Sequence, residues 1–233
     1  MTVWIITLNM DKTTRYATKE KTRRAYDKVG SDYDNWYWAK SAKKLRISVR
    51  EKVLEVLKKE LRTTHEKPRI LDLCCGTGYL YNDLSKLGDY TGLDFAESMV
   101  KHCSVTYPRG KFVLGDAEKM PFLDNSFDTV VCSWSFHHFT NPKKVFREMQ
   151  RILKPNGLVL IATFKNIRFN PAAKLGDAVS SAYWGFATIR YSEKEMHRLI
   201  GERFKSLDIK IFPKGFSLLS TMGIRFLIVS GRK

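Results

Sequence analysis

From residue 69 onward, short apolar runs alternate with stretches of helical spacing. The apolar runs fall at 69–74, 90–93, 111–115, 127–133 and 157–163. Runs of this length, rich in Val, Ile and Leu and bounded by turn residues, predict buried strands. Helical spacing occupies 80–87 and 96–106, a polar loop 116–126, and a further helix about 142–153. Pro142 opens that last helix and "KPNG" closes it. Strands and helices in strict alternation predict a mostly parallel sheet covered on both faces. Two later runs, Leu207–Phe212 and Ile224–Ser230, read as strands joined by the turn-rich "PKGFSLLSTMG", an antiparallel finish. Upstream, Leu45, Val49, Val53, Val56, Leu57 and Leu61 share one face of a helix over 43–61. The chain shows no internal repeat and no low-complexity tract.

In an open α/β sheet, ligands bind beyond the carboxyl ends of the strands, so the chemistry is sought there. The first strand runs into "LDLCCGTGYL", where Gly76 and Gly78 permit backbone shapes that a side chain forbids. A glycine turn from strand to helix lets a ligand touch bare backbone, as nucleotides do. Asp94 ends the second strand, 22 positions after Asp72 (94 − 72). A carboxylate at that distance from a glycine turn accepts hydrogen bonds from ribose hydroxyls; the competing use is to cap the next helix. Asp116, at the third strand end, is placed to accept from an exocyclic amine such as that of adenine. A dinucleotide is disfavoured, because Tyr81 stands where the third glycine of G-x-G-x-x-G would allow close helix packing.

At 233 residues and 43% hydrophobic content the chain is long enough for one α/β domain with a full core. No stretch reaches the roughly 18 apolar residues of a membrane span. "MTVWIITLNM" lacks a basic head and a cleavage site, which disfavours a signal peptide. Cys74, Cys75, Cys103 and Cys132 show no CxxC spacing and predict buried free thiols rather than disulfides or metal ligands, so a cytoplasmic protein without a metal centre is expected. Charge adds a different kind of information. The net +17 is unevenly spread: residues 1–68 carry +8 (17 − 9), residues 69–163 carry +1 (11 − 10), and residues 164–233 carry +8 (13 − 5). A neutral centre with basic flanks suits nucleic acid, an anionic membrane surface or an anionic substrate, against the plain alternative of a lysine-rich solvated surface.

"ILDLCCGTG", "GLDFAESMV", "GDAEKMPFLDNSFDTVVCSWSFHHF" and "REMQRILKPNGLVLI" resemble, in order, the successive motifs of class I S-adenosylmethionine-dependent methyltransferases. The resemblance covers about 69–163. "YDKVGSDYDNW", at 26–36, is similar to the N-terminal motif of the ubiquinone/menaquinone-type C-methyltransferases, and "GIRFLIVSGRK" to their final strand. Cys74 replaces the first of three alternating glycines often found in the family. The resemblance implies a Rossmann-like seven-stranded sheet, mostly parallel with an antiparallel last strand and helices on both faces. It implies S-adenosyl-L-methionine as cofactor and an activity of the general class EC 2.1.1.-. By position, Cys75, Gly76 and Gly78 would pack against the methionine and ribose parts, and Asp72 would help hold the amino group. Asp94 would bind the ribose, Asp116 and Ala117 would face the adenine, and Ser133 would contact the methionine end. Tyr26 and Tyr33 would lie on a lid that closes over the bound cofactor. The implied division is a helical cap over 1–68, a cofactor-binding core over 69–163, a substrate-covering insert over 164–192, and 193–233 completing the same domain.

Methyl transfer needs alignment and desolvation, and a general base only where the nucleophile must lose a proton. His137 and His138, just after the fourth strand, are the candidates for that base, with bracing of the loop as the alternative; Cys132 reads as core. The acceptor expected is a small molecule, a quinone or other lipid-like or anionic compound, because Tyr, Trp and Phe are interleaved with Lys and Arg in the N-terminal helices and at 165–191. A tRNA or rRNA methyltransferase using the basic flanks is the rival. Ser133-Trp134-Ser135-Phe136 stands where exocyclic-amine base methylation usually has Asn/Asp-Pro-Pro-aromatic, and no Pro-Cys pair occurs. A non-catalytic binding protein of the same fold is the third reading, disfavoured by the intact turn and carboxylates.

Overall fold

The computed structural model describes residues 12–35, 43–61, 67–165, 189–212 and 225–233. Two helices come first, α1 (Lys12–Val29) and α2 (Lys43–Leu61), with a 3-10 turn at Gly30–Asn35 following α1. The alternating part follows: β1 (Arg69–Leu73), α3 (Tyr81–Leu87), β2 (Asp89–Asp94), α4 (Glu97–Thr106), β3 (Lys111–Leu114) and β4 (Phe127–Ser133). A 3-10 turn at Phe136–His138 leads to α5 (Pro142–Ile152) and β5 (Leu153–Phe164), then α6 (Glu193–Gly201), β6 (Lys205–Phe212) and β7 (Phe226–Arg232). The expected segments at 1–10, most of the insert (166–188) and the late turn (213–223) lie outside the described residues.

The seven strands form one sheet in the order β3-β2-β1-β4-β5-β7-β6. β1 pairs in parallel with β2 on one side and β4 on the other, so the winding reverses between β1 and β4 and opens a crevice at their carboxyl ends. β7 lies between β5 and β6 and is antiparallel to both. The expected α/β sheet, mostly parallel with an antiparallel finish, is the one found.

Alternation along each strand sorts side chains to two faces. Leu71 and Leu73 of β1 join Val130, Phe146, Met149 and Leu199 in one buried cluster, under α5 and α6. Ile70, Val131 and Leu160 join Leu45, Val49, Val53 and Leu57 in the other, so α2 is a layer of the sheet's second face. α5 buries Val145, Phe146, Met149 and Ile152, is entered through Pro142, and the Asn141 side chain accepts from Lys144 N. α6 begins with a capping box between Ser192 and Glu195.

Three strands differ from the pattern by two residues or more, among them β6, which begins at Lys205 rather than Leu207. β5 begins at Leu153, not 157, because "KPNG" is carried inside the strand as a bulge: Phe127 faces Leu153 while Thr129 already faces Leu158. The last strand begins at Phe226 and runs to Arg232, two residues later than the apolar run suggests.

Candidate active site

The cavity of about 140 Å³ at the reversal point is lined by residues at or beyond the ends of β1, β2, β3 and β4 and by others from α1, the 3-10 turn after it and α2. Its floor is the turn after β1. Cys74 adopts φ +59°, Gly76 +54° and Gly78 +77°, a left-handed sequence that only glycine adopts without strain at the last two positions. A methyl group built on Gly76 meets nothing within 4 Å, so its backbone lies bare to the cavity. At Gly78 the same methyl would approach Tyr107 Cε2 to 2.6 Å and Cys103 Sγ to 3.2 Å, so Gly78 shapes the turn from behind. Cys103 also donates from Sγ to Gly76 O at 3.1 Å.

Asp94 braces this turn from β2. Its Oδ2 accepts from Gly76 N at 2.9 Å and its Oδ1 from Ala96 N at 3.0 Å. It is 5% exposed, and burial raises its pKa against the pull of those backbone donors. An ionised carboxylate has lone pairs to spare for a diol beyond these bonds. Asp72, within β1, accepts from Tyr90 Oη at 3.1 Å. Burial pushes its carboxyl up to about 7, with Asp94 adding to the rise and the Tyr90 hydrogen bond opposing it. Asp116, after β3, is paired with Lys19 of α1, whose ammonium also lies 3.6 Å from Glu118. An acceptor suited to an amine is thus already engaged by one.

The roof comes from the N-terminal elements. The Asp27 carboxylate accepts from Ser98 N at the start of α4 (3.2 Å), and Tyr26 O accepts from Ser98 Oγ (3.3 Å). Asp34 accepts from Thr77 Oγ1 of the glycine turn (2.8 Å) and from Arg46 of α2 (2.8 Å). Arg46 in turn stacks 4.4 Å from the centre of the Tyr79 ring. These polar contacts fasten the roof to the floor.

Of the residues read from the sequence, Asp72, Cys75, Gly76, Asp94, Asp116, Ala117, Ser133, Tyr26, Tyr33 and His138 line this one cavity. Gly78 and His137 do not. His137 is 5% exposed and meets the Phe164 ring edge to face at 4.7 Å, and its backbone carbonyl accepts from Ile189 N. Tyr81 packs against Tyr90, Tyr107 and Phe112 and stands where a third glycine would allow close packing of helix on strand. Lys19, Arg46, Phe95 and Thr140 line the cavity without having been singled out. Phe95 alone carried a signal, since it follows the strand-end Asp94. Among the described residues no His/Cys/Asp/Glu cluster is arranged to hold a metal ion, and all four cysteines are free.

Residues 71–161 match the methyltransferase domain family. The chain is 38% identical over 104 residues to the demethylmenaquinone methyltransferase of Renibacterium salmoninarum, covering 44% of each chain. It is 31% identical over 147 residues to that of Thermotoga maritima, covering 62% of each. The match therefore spans about half to three-fifths of these relatives' length. Among solved structures, the YcgJ protein of Bacillus subtilis superposes with a TM-score of 0.66 at 17% identity, over 78% of this chain and 98% of that one. The [4+2]-cyclase SpnF superposes equally well, TM-score 0.66 at 17% identity, over 93% of this chain and 97% of its own. The fold alone therefore does not name a reaction.

Proposed function

We propose that this chain, whose residues 71–161 form a class I S-adenosylmethionine-dependent methyltransferase domain, transfers a methyl group to a small aromatic, lipid-like acceptor of the quinol type. One observation carries the reading: three strand-end carboxylates, the bare Gly76 backbone, Trp134 after β4 and a roof of Tyr26, Tyr33 and Arg46 all face a single cavity. The demethylmenaquinone methyltransferases among its relatives support the acceptor class.

The residues present fit S-adenosyl-L-methionine. Asp94 would take the ribose hydroxyls, Asp72 the amino group, and Asp116 with Ala117 the adenine edge once Lys19 moves to Glu118. Cys75 and Gly76 would pack along the chain between them, and Ser133 would meet the methionine end. When bound, the cofactor supplies a methyl group on a positively charged sulfur, displaced in line with a neutral leaving group. The protein's part is to align the acceptor, exclude water and hold any acceptor proton. The Tyr26 and Tyr33 rings would give a flat acceptor an aromatic surface to pack on, with Arg46, paired with Asp34, beside it.

The rival, RNA methylation through the basic flanks, is separated by salt. Binding of bulk tRNA through several phosphates weakens roughly 10³-fold or more between 50 and 200 mM salt, whereas a quinol engages few charges. Incubation of the protein with isotope-labelled cofactor, a menaquinone-precursor lipid extract and bulk tRNA is expected to label the lipid fraction. Submicromolar tRNA binding at 150 mM salt with label in the RNA would overturn the reading, and binding of cofactor with label in neither fraction would favour a non-catalytic protein.

Asp72 makes cofactor affinity depend on pH. Its carboxyl, raised to about 7 in the empty protein, must be ionised to pair with an ammonium group. Affinity for S-adenosylhomocysteine is therefore expected to rise with pH up to about 7, by as much as roughly tenfold per unit, and then to level off. The empty protein runs the other way: a carboxyl with a raised folded-state pKa favours the fold at low pH and withdraws that support as pH climbs towards 7. Calorimetry in buffers of different ionisation enthalpy should count close to one proton released on binding at pH 6. Zero release there, with Asp72→Asn showing the wild-type pH profile, would remove Asp72 from this role.

A further inference from the structure

The face of α1 turned away from the cavity carries a row of cations. Lys19, Thr22 and Tyr26 line the cavity at spacing i, i+3, i+7, which is one face of a helix. Lys21, Arg24 and Lys28 repeat that spacing two positions later, and all three are exposed. Two positions along a helix turn a side chain by roughly 200°, so this second row lies on the opposite side of α1. Glu20 and Asp27, the acids of α1, are both paired with Arg23. Among the described residues no carboxylate pairs with Lys21, Arg24 or Lys28. The start of α2 adds to the same roof. Arg46 ties it to the turn after α1 through Asp34, and Lys43 and Lys44 are exposed one turn before Ile47, itself 36% exposed. Asp32, in the turn, is exposed as well and offsets one of these charges. The cations that point inwards or between elements are paired instead: Lys19 with Asp116, Arg46 with Asp34 and Arg50 with Asp83.

We propose that the outer face of the roof, Lys21, Arg24 and Lys28 of α1 with Lys43 and Lys44 of α2, docks on an anionic phospholipid bilayer. The choice of a bilayer over a nucleic acid rests in part on the lipid-like acceptor proposed above. A second observation favours it independently. The exposed large apolar side chains among the described residues are Ile47, Val105, Leu114 and Leu123, so no exposed ring stands among these cations to stack a base. A plane of fixed negative headgroups matches a row of cations directly, and each Lys or Arg held near such a plane strengthens binding about fivefold. Ile47 supplies an apolar side chain for the boundary between headgroups and acyl chains. No helix among the described residues is long and apolar enough to cross a membrane, so the contact proposed is peripheral, made and broken by charge. A helix is about 10 Å thick, so a lipid-like acceptor leaving the bilayer at this face stands one helix away from the cavity.

Flotation of the full chain on phosphatidylcholine vesicles, with and without phosphatidylglycerol, tests the surface, alongside a binding assay with bulk tRNA. Wild type should float with the anionic vesicles at about 100 mM salt, stay behind with phosphatidylcholine alone, and be released towards about 500 mM, where screening shortens the reach of charge. Arg24→Ala combined with Lys28→Ala should weaken vesicle binding roughly twentyfold or more, while S-adenosylhomocysteine affinity stays within about twofold. Lys58→Ala combined with Lys59→Ala removes the same charge roughly 20 Å along α2 from Lys44, about two Debye lengths away, and should stay within about threefold of wild type. Equal losses in the two pairs would reduce the effect to overall charge and overturn the docking face. No vesicle binding at about 100 mM salt would overturn the bilayer; tRNA binding that falls in the Arg24 and Lys28 pair would then give the face to nucleic acid. The acceptor reading fails separately. A prenylated 1,4-naphthohydroquinone methylated by wild type in detergent, with no binding to anionic vesicles, would keep that reading and discard the surface. Vesicle binding lost only in the Arg24 and Lys28 pair, with no methylation, would keep the surface and discard the acceptor.

Discussion

Replacement of Asp94 by Ala is expected to weaken S-adenosylhomocysteine binding between roughly tenfold and a hundredfold, the largest loss from any single strand-end carboxylate. Two effects add. The carboxylate accepts from Gly76 N and Ala96 N, so its removal unpins the turn whose backbone lies open to the ligand. It also removes the acceptor for the ribose hydroxyls, where a charge-assisted hydrogen bond is worth about 1.5–3 kcal/mol, which alone is tenfold or more in affinity. Asp94→Asn keeps an oxygen for Gly76 N but loses the charge, and should fall between wild type and Ala. Isothermal calorimetry reads the result directly. An Ala variant that binds as well as wild type would take Asp94 out of the site and leave it as a cap for α4.

The two glycines of the turn are expected to fail in opposite ways when changed to Ala. Gly78→Ala meets Tyr107 at 2.6 Å and Cys103 at 3.2 Å, at a backbone φ of +77°. Left-handed backbone costs a side chain about 1–2 kcal/mol and overpacking about 1–3 kcal/mol more. A chain of this size then melts roughly 5–15 °C lower. Gly76→Ala carries only the backbone cost, since nothing stands within 4 Å of the added methyl. Its melting temperature should fall by a few degrees while cofactor affinity drops, because the methyl enters the space left for the ligand. Thermal melts of both variants with and without S-adenosylhomocysteine separate the two. Equal melting losses, or ligand stabilisation kept in Gly76→Ala and lost in Gly78→Ala, would reverse the assignment of floor and support.

Much of the sheet and the cofactor half of the cavity was legible because both depend on local pattern. Each parallel strand is a buried apolar run, and each strand-end carboxylate follows its run directly, so Asp94 and Asp116 announce themselves by position. The roof was harder to read. Lys19 lies in a helix dense with charge, where one lysine among many carries no mark of being turned inwards. Arg46 sits between Leu45 and Val49, where a cation reads as solvated surface. The two histidines could not be told apart in sequence, because a 3-10 turn rotates successive side chains by about a third of a circle. That rotation sends His137 against Phe164 and His138 into the cavity. The early start of β5 was hidden by "KPNG", whose proline and glycine read as an ending but form a bulge, with Asn156 at φ +61°.

The placement of β7 bears on how the chain assembles. The parallel half, β3 to β5, is built from strands joined by single helices, or by a loop between β3 and β4, and can gather from contacts close in sequence. β5 then presents a long apolar edge, and its neighbour β7 lies some sixty residues further along, past α6 and β6. β6 has no place on the sheet until β7 fills the gap between them. Until it does, the inner edge of β5, which pairs from Leu158 to Phe164 with β7, is open to any other strand it meets. Non-local pairing of this kind is slow and exposes partly assembled chains to association. The antiparallel closure is thus expected to come late in folding, and substitutions in β7 beyond Phe226, which packs on Trp134 of the cavity wall, should act on yield during synthesis before they act on the finished site.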